Sequence, residues 1–331
     1  MMIHKFLTAL RPIASIGLAS LVVLGSQPTW AQGALDKSVR WVVPYPAGGG
    51  SDFMARTVAQ GLPMSAGAAV VVDNKPGGNG AVAVADVKRA PRDSATWINV
   101  DNGVMVFNSA LYSRLGYDPE KDLRPVTLLG RLPMILVAGP SAEVNSAQEW
   151  LAKTRANPGK FSFGSAGAGS PQHMAMELLK RATGTFTVHI PYRGSAPALA
   201  DLVGGQIPVL MTDYAAARSF IQSGKIKALA VASNVRVPYL PDVPTLAELG
   251  VRNAESAAWV GVAVSATSSD ELVRQANQAI RTALAQSTVS EKLAAAGIEP
   301  VAVTPEQFDA QIKAERQRWH QLIKELKITL D

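Results

Sequence analysis

The chain contains no cysteine, which excludes disulfide frameworks, thiolate metal sites and cysteine nucleophiles together. Histidine is scarce as well. His4, His173, His189 and His320 are the four in 331 residues, and no two stand at a metal-ligand spacing such as H-E-x-x-H. No metal and no organic cofactor is expected. Aromatic residues reach 6% and charged residues 18%, against 47% hydrophobic, a balance that excludes a disordered or low-complexity chain. Runs of five or more basic residues are absent too, so the net charge of +6 does not read as a nucleic-acid surface. It suits a protein whose ligands are small anions.

What is present begins with an address. His4, Lys5 and Arg11 precede the apolar stretch Ile13–Leu24, and Thr29-Trp30-Ala31 places small residues at −3 and −1 of a cleavage site. This is a secretory signal peptide, residues 1–31, cleaved after Ala31. The stretch is too short for a membrane anchor, and no other segment is long and apolar enough to span a bilayer. An exported, soluble mature protein is expected.

From Val39 the chain alternates strands and helices. Strands are expected at Val39–Pro44, Ala69–Asp73 and Thr96–Val100, with helices at Asp52–Leu62, through Val87, and at Asn108–Leu115. The rhythm restarts near residue 130. It runs through the strands Ile135–Ala138, Phe161–Gly164, Thr187–Ile190, Pro208–Thr212 and Ala228–Ala232, separated by helices. A proline-rich loop at Val237–Pro244 precedes the apolar run Trp259–Ser265, and Thr304-Pro305-Glu306-Gln307 opens a last helix reaching about Leu326. The pattern predicts an α/β fold with mostly parallel sheets. Residues 32–130 with 255–331 are expected to form one discontinuous domain, and 131–254 a second domain inserted into it. Ligands of such two-lobed proteins sit in the cleft at the carboxyl ends of the parallel strands.

Four turns at strand ends concentrate glycine and hydroxyl residues: Pro46–Asp52, Pro76–Gly80, Gly164–His173 and Tyr192–Ala198. A turn that opens a helix offers unpaired N–H groups and positive dipole charge to an anion. Glycine also serves simply to make tight βα turns. The anion is not a nucleotide: no lysine follows Gly48–Gly50 as a P-loop requires, and G-x-G-x-x-G fails at both Gly48 and Gly167. A G-x-S-x-G elbow nearly occurs at Ser165, but Phe163 stands at the first glycine position. A carboxylate is the simplest anion that neutral donors can satisfy. The candidate ligand-binding residues are Ala47, Gly48, Gly49, Gly50, Ser51 and Asp52 in the first turn. Ser165, Ala166, Gly169, Ser170 and His173 follow in the third, and Arg193, Gly194, Ser195 and Ala196 in the fourth. Asp101 and Asp213 stand at strand ends, where each serves either as a turn or capping residue or as a ligand contact.

With these motifs the chain resembles the Bug family, the periplasmic solute receptors of tripartite tricarboxylate transporters. The resemblance rests on V-P-Y-P-A-G-G-G-S-D at 43–52, V-D-N-K-P-G-G-N-G at 72–80 and N-P-G-K-F-S-F-G-S-A-G-A-G-S-P-Q-H at 157–173. It extends to H-I-P-Y-R-G-S-A-P-A-L-A-D-L-V-G-G-Q at 189–206 and L-P-D-V-P-T-L-A-E-L-G at 240–250. The resemblance implies a two-lobed periplasmic binding protein of Venus-flytrap type, closing over a carboxylated ligand held by the loops at 46–52, 165–170 and 193–197. It further implies a periplasmic monomer whose partner is a membrane transporter with one large and one small integral subunit. Asp101-Asn102-Gly103, Asn108-Ser109 and Tyr214 depart from the family pattern around the distal part of the pocket. The expected function is a receptor and not an enzyme. The alternative is an exported α/β hydrolase or isomerase acting on carboxylates, for which Asp101 with Asp213 is the acid/base pair to nominate.

Overall fold

The computed structural model describes residues 35–330, so the signal peptide expected at 1–31 lies outside the described residues. β1 (Val39–Val43), α1 (Gly50–Ala59), β2 (Val70–Asn74), α2 (Ala81–Lys88) and β3 (Thr96–Asp101) follow the alternation. A π turn (Gly103–Phe107) precedes α3 (Asn108–Leu111), which starts where the helix over 108–115 is expected and ends earlier. α4 (Pro119–Asp122) is capped by Asp118.

β4 (Leu123–Pro133) then runs for eleven residues and has no counterpart among the expected strands. Arg124, Pro125, Gly130, Arg131 and Pro133 hide its alternation. Register shifts opposite it, between Val260 and Gly261 and between Val262 and Ala263, absorb the irregularity. β4 also keeps the chain in its sheet to Pro133, past the break expected at 130.

β5 (Ile135–Ala138), α5 (Ala147–Ala156), β6 (Ser162–Ser165), α6 (Pro171–Thr183), β7 (Val188–Pro191), α7 (Ser195–Val203), β8 (Val209–Thr212), α8 (Tyr214–Gln222) and β9 (Lys227–Val231) come next. β10 (Ala257–Ser265), α9 (Asp270–Leu284), α10 (Ser287–Ala295), β11 (Glu299–Pro300) and α11 (Pro305–Leu326) complete the chain. α11 starts with the capping box expected at Thr304 and Gln307.

The strands form two sheets, ordered β11-β4-β10-β3-β1-β2 and β7-β6-β8-β5-β9. The fold is α/β and two-lobed, one sheet to each lobe. Each sheet is mixed: β1, β2 and β3 are parallel, as are β6, β7 and β8, but β10 runs antiparallel to β3 and β4, and β5 antiparallel to β8 and β9. This corrects the expectation of mostly parallel sheets. β5 and β10 are entered directly from the crossover without an intervening helix, so nothing returns the chain to the parallel direction.

The crossings are bonded to each other. Met134 donates its N–H to the Ser256 carbonyl (3.0 Å), Ala232 donates to Met134 (2.7 Å), and Ser256 donates to Ala232 (2.9 Å). α6 spans the junction in packing: Met174 and Leu178 share a buried cluster with Phe107, Leu111, Trp259 and Trp319 of the first lobe.

The registers orient the strands against this junction. Asp101, at the end of β3, lies opposite Val260 near the start of β10. Thr212, at the end of β8, lies opposite Ile135 at the start of β5. The carboxyl ends of the parallel strands in both lobes therefore face the crossover.

Candidate functional site

Two groups of turns stand at these strand ends. In the first lobe Ala47, Gly48, Gly49 and Gly50 are exposed, and α1 starts at Gly50 with Gly49 as N-cap and no side-chain cap. The first N–H groups of a helix have no intrahelical acceptor, so this end is available to an anion. Asn99 holds the turn from below, donating to the Ser51 carbonyl (2.8 Å) and Oγ (2.9 Å).

Asp52 turns inward. It is buried and accepts from the Gly48 amide (2.9 Å), Arg56 Nε (3.0 Å) and Asn74 Nδ2 (3.0 Å). Burial pushes its carboxyl up, but Arg56, Gly48 and Asn74 together outweigh that and hold it below the ordinary value. Asp52 thus staples the turn.

In the second lobe the third and fourth turns extend the β6–β7 pairing. Tyr192 donates its N–H to the Ser165 carbonyl (3.1 Å), and Gly194 donates to Ala166 (3.0 Å). α7 begins at Ser195, with Gly194 as N-cap and no side-chain cap. Gly194 has φ +110° with no heavy atom within 4 Å of an added Cβ, so glycine serves the left-handed backbone and leaves the helix end open. Ser195 and Ala196 supply the first helical amides, and Arg193 beside them is exposed with no ion pair among the described residues. Gly169 shares the left-handed backbone (φ +75°) and adds a close approach: an added Cβ would lie 2.7 Å from Leu330 Cδ1 and 2.8 Å from Leu111 Cδ1.

The other hydroxyl and imidazole groups are committed. Ser170 caps α6, accepting from the His173 amide (3.2 Å) and donating to the Gly167 carbonyl (2.7 Å). His173 was expected to meet the ligand, but its ring is buried and its Nδ1 accepts from the Gly169 amide (3.0 Å). Ser165 is completely buried, 2.6 Å from His189 Nε2, and its Oγ also bonds the carbonyl and amide of Gly167. A serine within reach of a histidine resembles a nucleophile and its base. Here the hydroxyl is inaccessible, and burial, with Lys180 nearby, lowers the imidazole to about 4, too weak a base to activate it.

Asp101 and Asp213 each have local partners. Asp101 accepts from Tyr45 Oη through one oxygen and from the Val104 amide (2.9 Å) through the other, while burial raises its carboxyl against these bonds. Asp213 is the N-cap of α8, accepting from the Ala216 amide (3.0 Å), and burial raises it as well. Nothing couples the two as an acid/base pair. Among the described residues no cluster of three or more metal-ligating acids, histidines or cysteines occurs.

Sequence reasoning missed Tyr45, Arg56, Asn74 and Asn99, which position the first turn, and the Ser165–His189 contact. Tyr45 and Asn74 lie within the motifs at 43–52 and 72–80, so proximity to a glycine turn was the available signal.

Among the longer helices α2 and α10 also lack a side-chain cap, but α2 has the buried Gly80 as its N-cap and α10 follows α9 and not a strand, which leaves α1 and α7, one in each lobe, as the open helix ends at these strand ends. Comparison with known proteins identifies the family. Residues 54–328 match the model of the tripartite tricarboxylate transporter family receptor. BugT of Bordetella pertussis is 32% identical over 314 residues, covering 95% of this chain and 94% of the relative. A protein from the tcbD-tcbE intergenic region of Pseudomonas sp. strain P51 is 36% identical over 293 residues, 88% of this chain and 87% of its own. Among solved structures, R. palustris Rpa4515 with adipate has TM-score 0.79 and 32% identity, covering 91% of this chain and 100% of that one. The periplasmic binding protein BugD has TM-score 0.75 and 30% identity, over 89% and 100%. MatC from Rhodopseudomonas palustris with bound malate has TM-score 0.74 and 29% identity, over 87% and 99%. With the family model and relatives matched over most of their length in agreement, the chain belongs to the tripartite tricarboxylate transporter family receptors, which are solute-binding receptors and not enzymes.

Proposed function

We propose that this protein is a periplasmic receptor that captures a small carboxylic acid between its lobes and delivers it to a membrane transporter of large and small integral subunits. The observation that carries the reading is the pair of uncapped helix ends, α1 at Gly50 and α7 at Ser195, at strand ends turned to the crossover. Micromolar affinity requires about 8 kcal/mol, of which each helix end supplies on the order of 1 kcal/mol. Hydrogen bonds and apolar burial on lobe closure supply the remainder. The lobes would be residues 35–133 with 255–330, and 134–254, the boundary standing after β4 and not at 130, moving about the Met134, Ala232 and Ser256 crossing as a monomer.

Adipate and malate, bound in two of the similar structures, are the first ligands to try. The test is a thermal-shift panel of carboxylic acids on refolded, ligand-stripped protein, followed by calorimetry and recovery of the ligand after prolonged incubation. A melting temperature raised by a dicarboxylate that is recovered unchanged supports the receptor reading. A shift with ATP or a divalent metal and none with any acid overturns it.

The two serines separate binding from capping. Ser170 holds the α6 N-terminus, so Ser170→Ala is expected to cost about 1 kcal/mol of stability without ligand. Ser195 is the first residue of α7 and not its cap, so Ser195→Ala is expected to leave the apo melting point unchanged and weaken affinity about fivefold to tenfold. The reverse ordering in paired melting and calorimetry experiments would return both hydroxyls to structural roles.

Asp101 bears on specificity. A carboxylate beside the pocket repels a second ligand carboxylate and favours a ligand with a distal hydroxyl, amide or amine. Asp101→Asn is expected to shift the affinity ratio toward a dicarboxylate such as adipate and away from a matched monocarboxylate that bears a distal hydroxyl or amine in place of the second carboxylate. An unchanged ratio by calorimetry leaves Asp101 with its bonds to Tyr45 and Val104 alone.

A further inference from the structure

Beneath the third turn lies a stack of three rings that the receptor reading does not use. Phe163 on β6 and His189 on β7 are register partners, with ring centroids 4.8 Å apart and 20° between planes. His173, from the first turn of α6, lies on His189 at 3.8 Å and 8°. Each imidazole is joined to the turn by one hydrogen bond: His173 Nδ1 accepts from the Gly169 amide (3.0 Å), and His189 Nε2 meets Ser165 Oγ (2.6 Å).

These bonds define the tautomers. Nδ1 of His173 accepts, so a neutral ring carries its proton on Nε2, which points toward Glu177 Oε1 at 3.7 Å. Ser165 Oγ donates to the Gly167 carbonyl (2.9 Å), so it accepts from His189, whose proton is also on Nε2. Lys180 and Glu177, paired at 2.7 Å, are the charged groups that α6 presents here, while β6 contributes Phe163 and Ser165. Burial lowers His173 to about 3, assisted by His189 and Lys180, so the pair stays uncharged where the receptor operates.

We propose that His173 and His189 form a neutral positioning pair that sets the 165–170 turn for the ligand carboxylate, acting through hydrogen bonds and stacking and not through charge. The proposal rests on the reading, carried by the resemblance to the Bug family, that this turn holds the carboxylate beside the α7 end, to which it is bonded through Ala166 and Gly194 (3.0 Å). A cationic histidine would attract the anion directly and make affinity fall as it deprotonates. The neutral pair instead requires an uncharged acceptor at one position and an uncharged donor at the other.

The experiment uses the full mature protein with adipate and malate as probes. His173→Phe and His189→Phe keep the stack but remove the bonds, and each is expected to weaken binding about tenfold. His173→Asn places an oxygen near Nδ1, and His189→Gln places a donor near Nε2. Both are expected to recover to within about threefold of wild type. Wild-type affinity should be flat between about pH 5.5 and about pH 8.5, with nitrogen-detected NMR showing both rings neutral and protonated on Nε2. Phenylalanine variants that bind as wild type, or a fall in affinity as pH rises through about 6.5, would overturn the pair's role.

Ala166→Asp tests the underlying reading separately, by placing a carboxylate in the turn. If it destroys binding while the phenylalanine variants do not, the turn binds the anion and only the positioning role fails. If Ala166→Asp binds as wild type, or wild type binds neither probe, the reading that this turn holds the carboxylate fails and the proposal falls with it.

Discussion

Gly50→Asp is expected to remove ligand binding while leaving the apo protein as stable as wild type or slightly more so. Gly50 is the first residue of α1, is exposed, and has no heavy atom within 4 Å of an added Cβ. Its backbone lies outside the left-handed region, so aspartate fits without strain. A carboxylate at an uncapped helix N-terminus is favourable by about 0.3–1 kcal/mol. The same carboxylate occupies the donors proposed to hold the ligand and repels its charge. At an effective dielectric of about 20, two charges about 4 Å apart repel by about 4 kcal/mol, and solvent at the turn reduces this to about 2–3 kcal/mol. Affinity should therefore fall about 100-fold. Calorimetry with adipate and malate, beside a melting curve without ligand, reads both effects. Unchanged affinity in a folded Gly50→Asp protein would remove the α1 terminus from the anion site. The opposite signs of the two effects are what separate a binding loss from damage to the fold.

The second large effect concerns Trp259 on β10. The indole is 1% exposed, stands edge-on to Phe308 at 5.3 Å, and donates Nε1–H to Glu315 Oε2 at 2.8 Å. Glu315 also accepts from Asn102 (3.2 Å) and Gln311 (2.9 Å). Trp259→Ala is expected to cost about 3–5 kcal/mol through the cavity alone, enough to threaten folding. Trp259→Phe keeps most of the volume and removes the donor, at about 1–3 kcal/mol.

That smaller loss should depend on pH. Burial raises the Glu315 carboxyl above its ordinary value, opposed by the bonds from Trp259 and Gln311. For a carboxyl raised by folding, the native state binds more protons than the unfolded state, so its charged form destabilises the fold as pH rises through the native value. Removing a donor raises Glu315 further. The gap between wild type and Trp259→Phe should then be small at about pH 4, where the carboxyl is protonated in both states, and larger at about pH 7.5. Denaturant unfolding at the two values checks this; a gap that does not widen places the loss in packing.

What could be read from the sequence alone is what short-range physics decides. The strand–turn–helix rhythm came from local apolar periodicity, and the caps at Asp213 and Thr304 from side chains that reach their own N–H groups three residues on. The glycine turns were legible as well, because positive φ and an open helix end are properties of a few consecutive residues. Tertiary structure decided the rest. β4 contains two prolines and is a strand because β10 and β11 pair with it, a condition set by residues more than a hundred positions away. Asp52, placed by its position among the ligand-binding residues, is turned inward by Arg56 and Asn74, and His173 and Ser165 are drawn under their turn by Gly169 and His189. A side chain's type announces which hydrogen bonds it can make. Which of them it does make depends on sheet register and helix packing, and these bring together partners that no local pattern specifies.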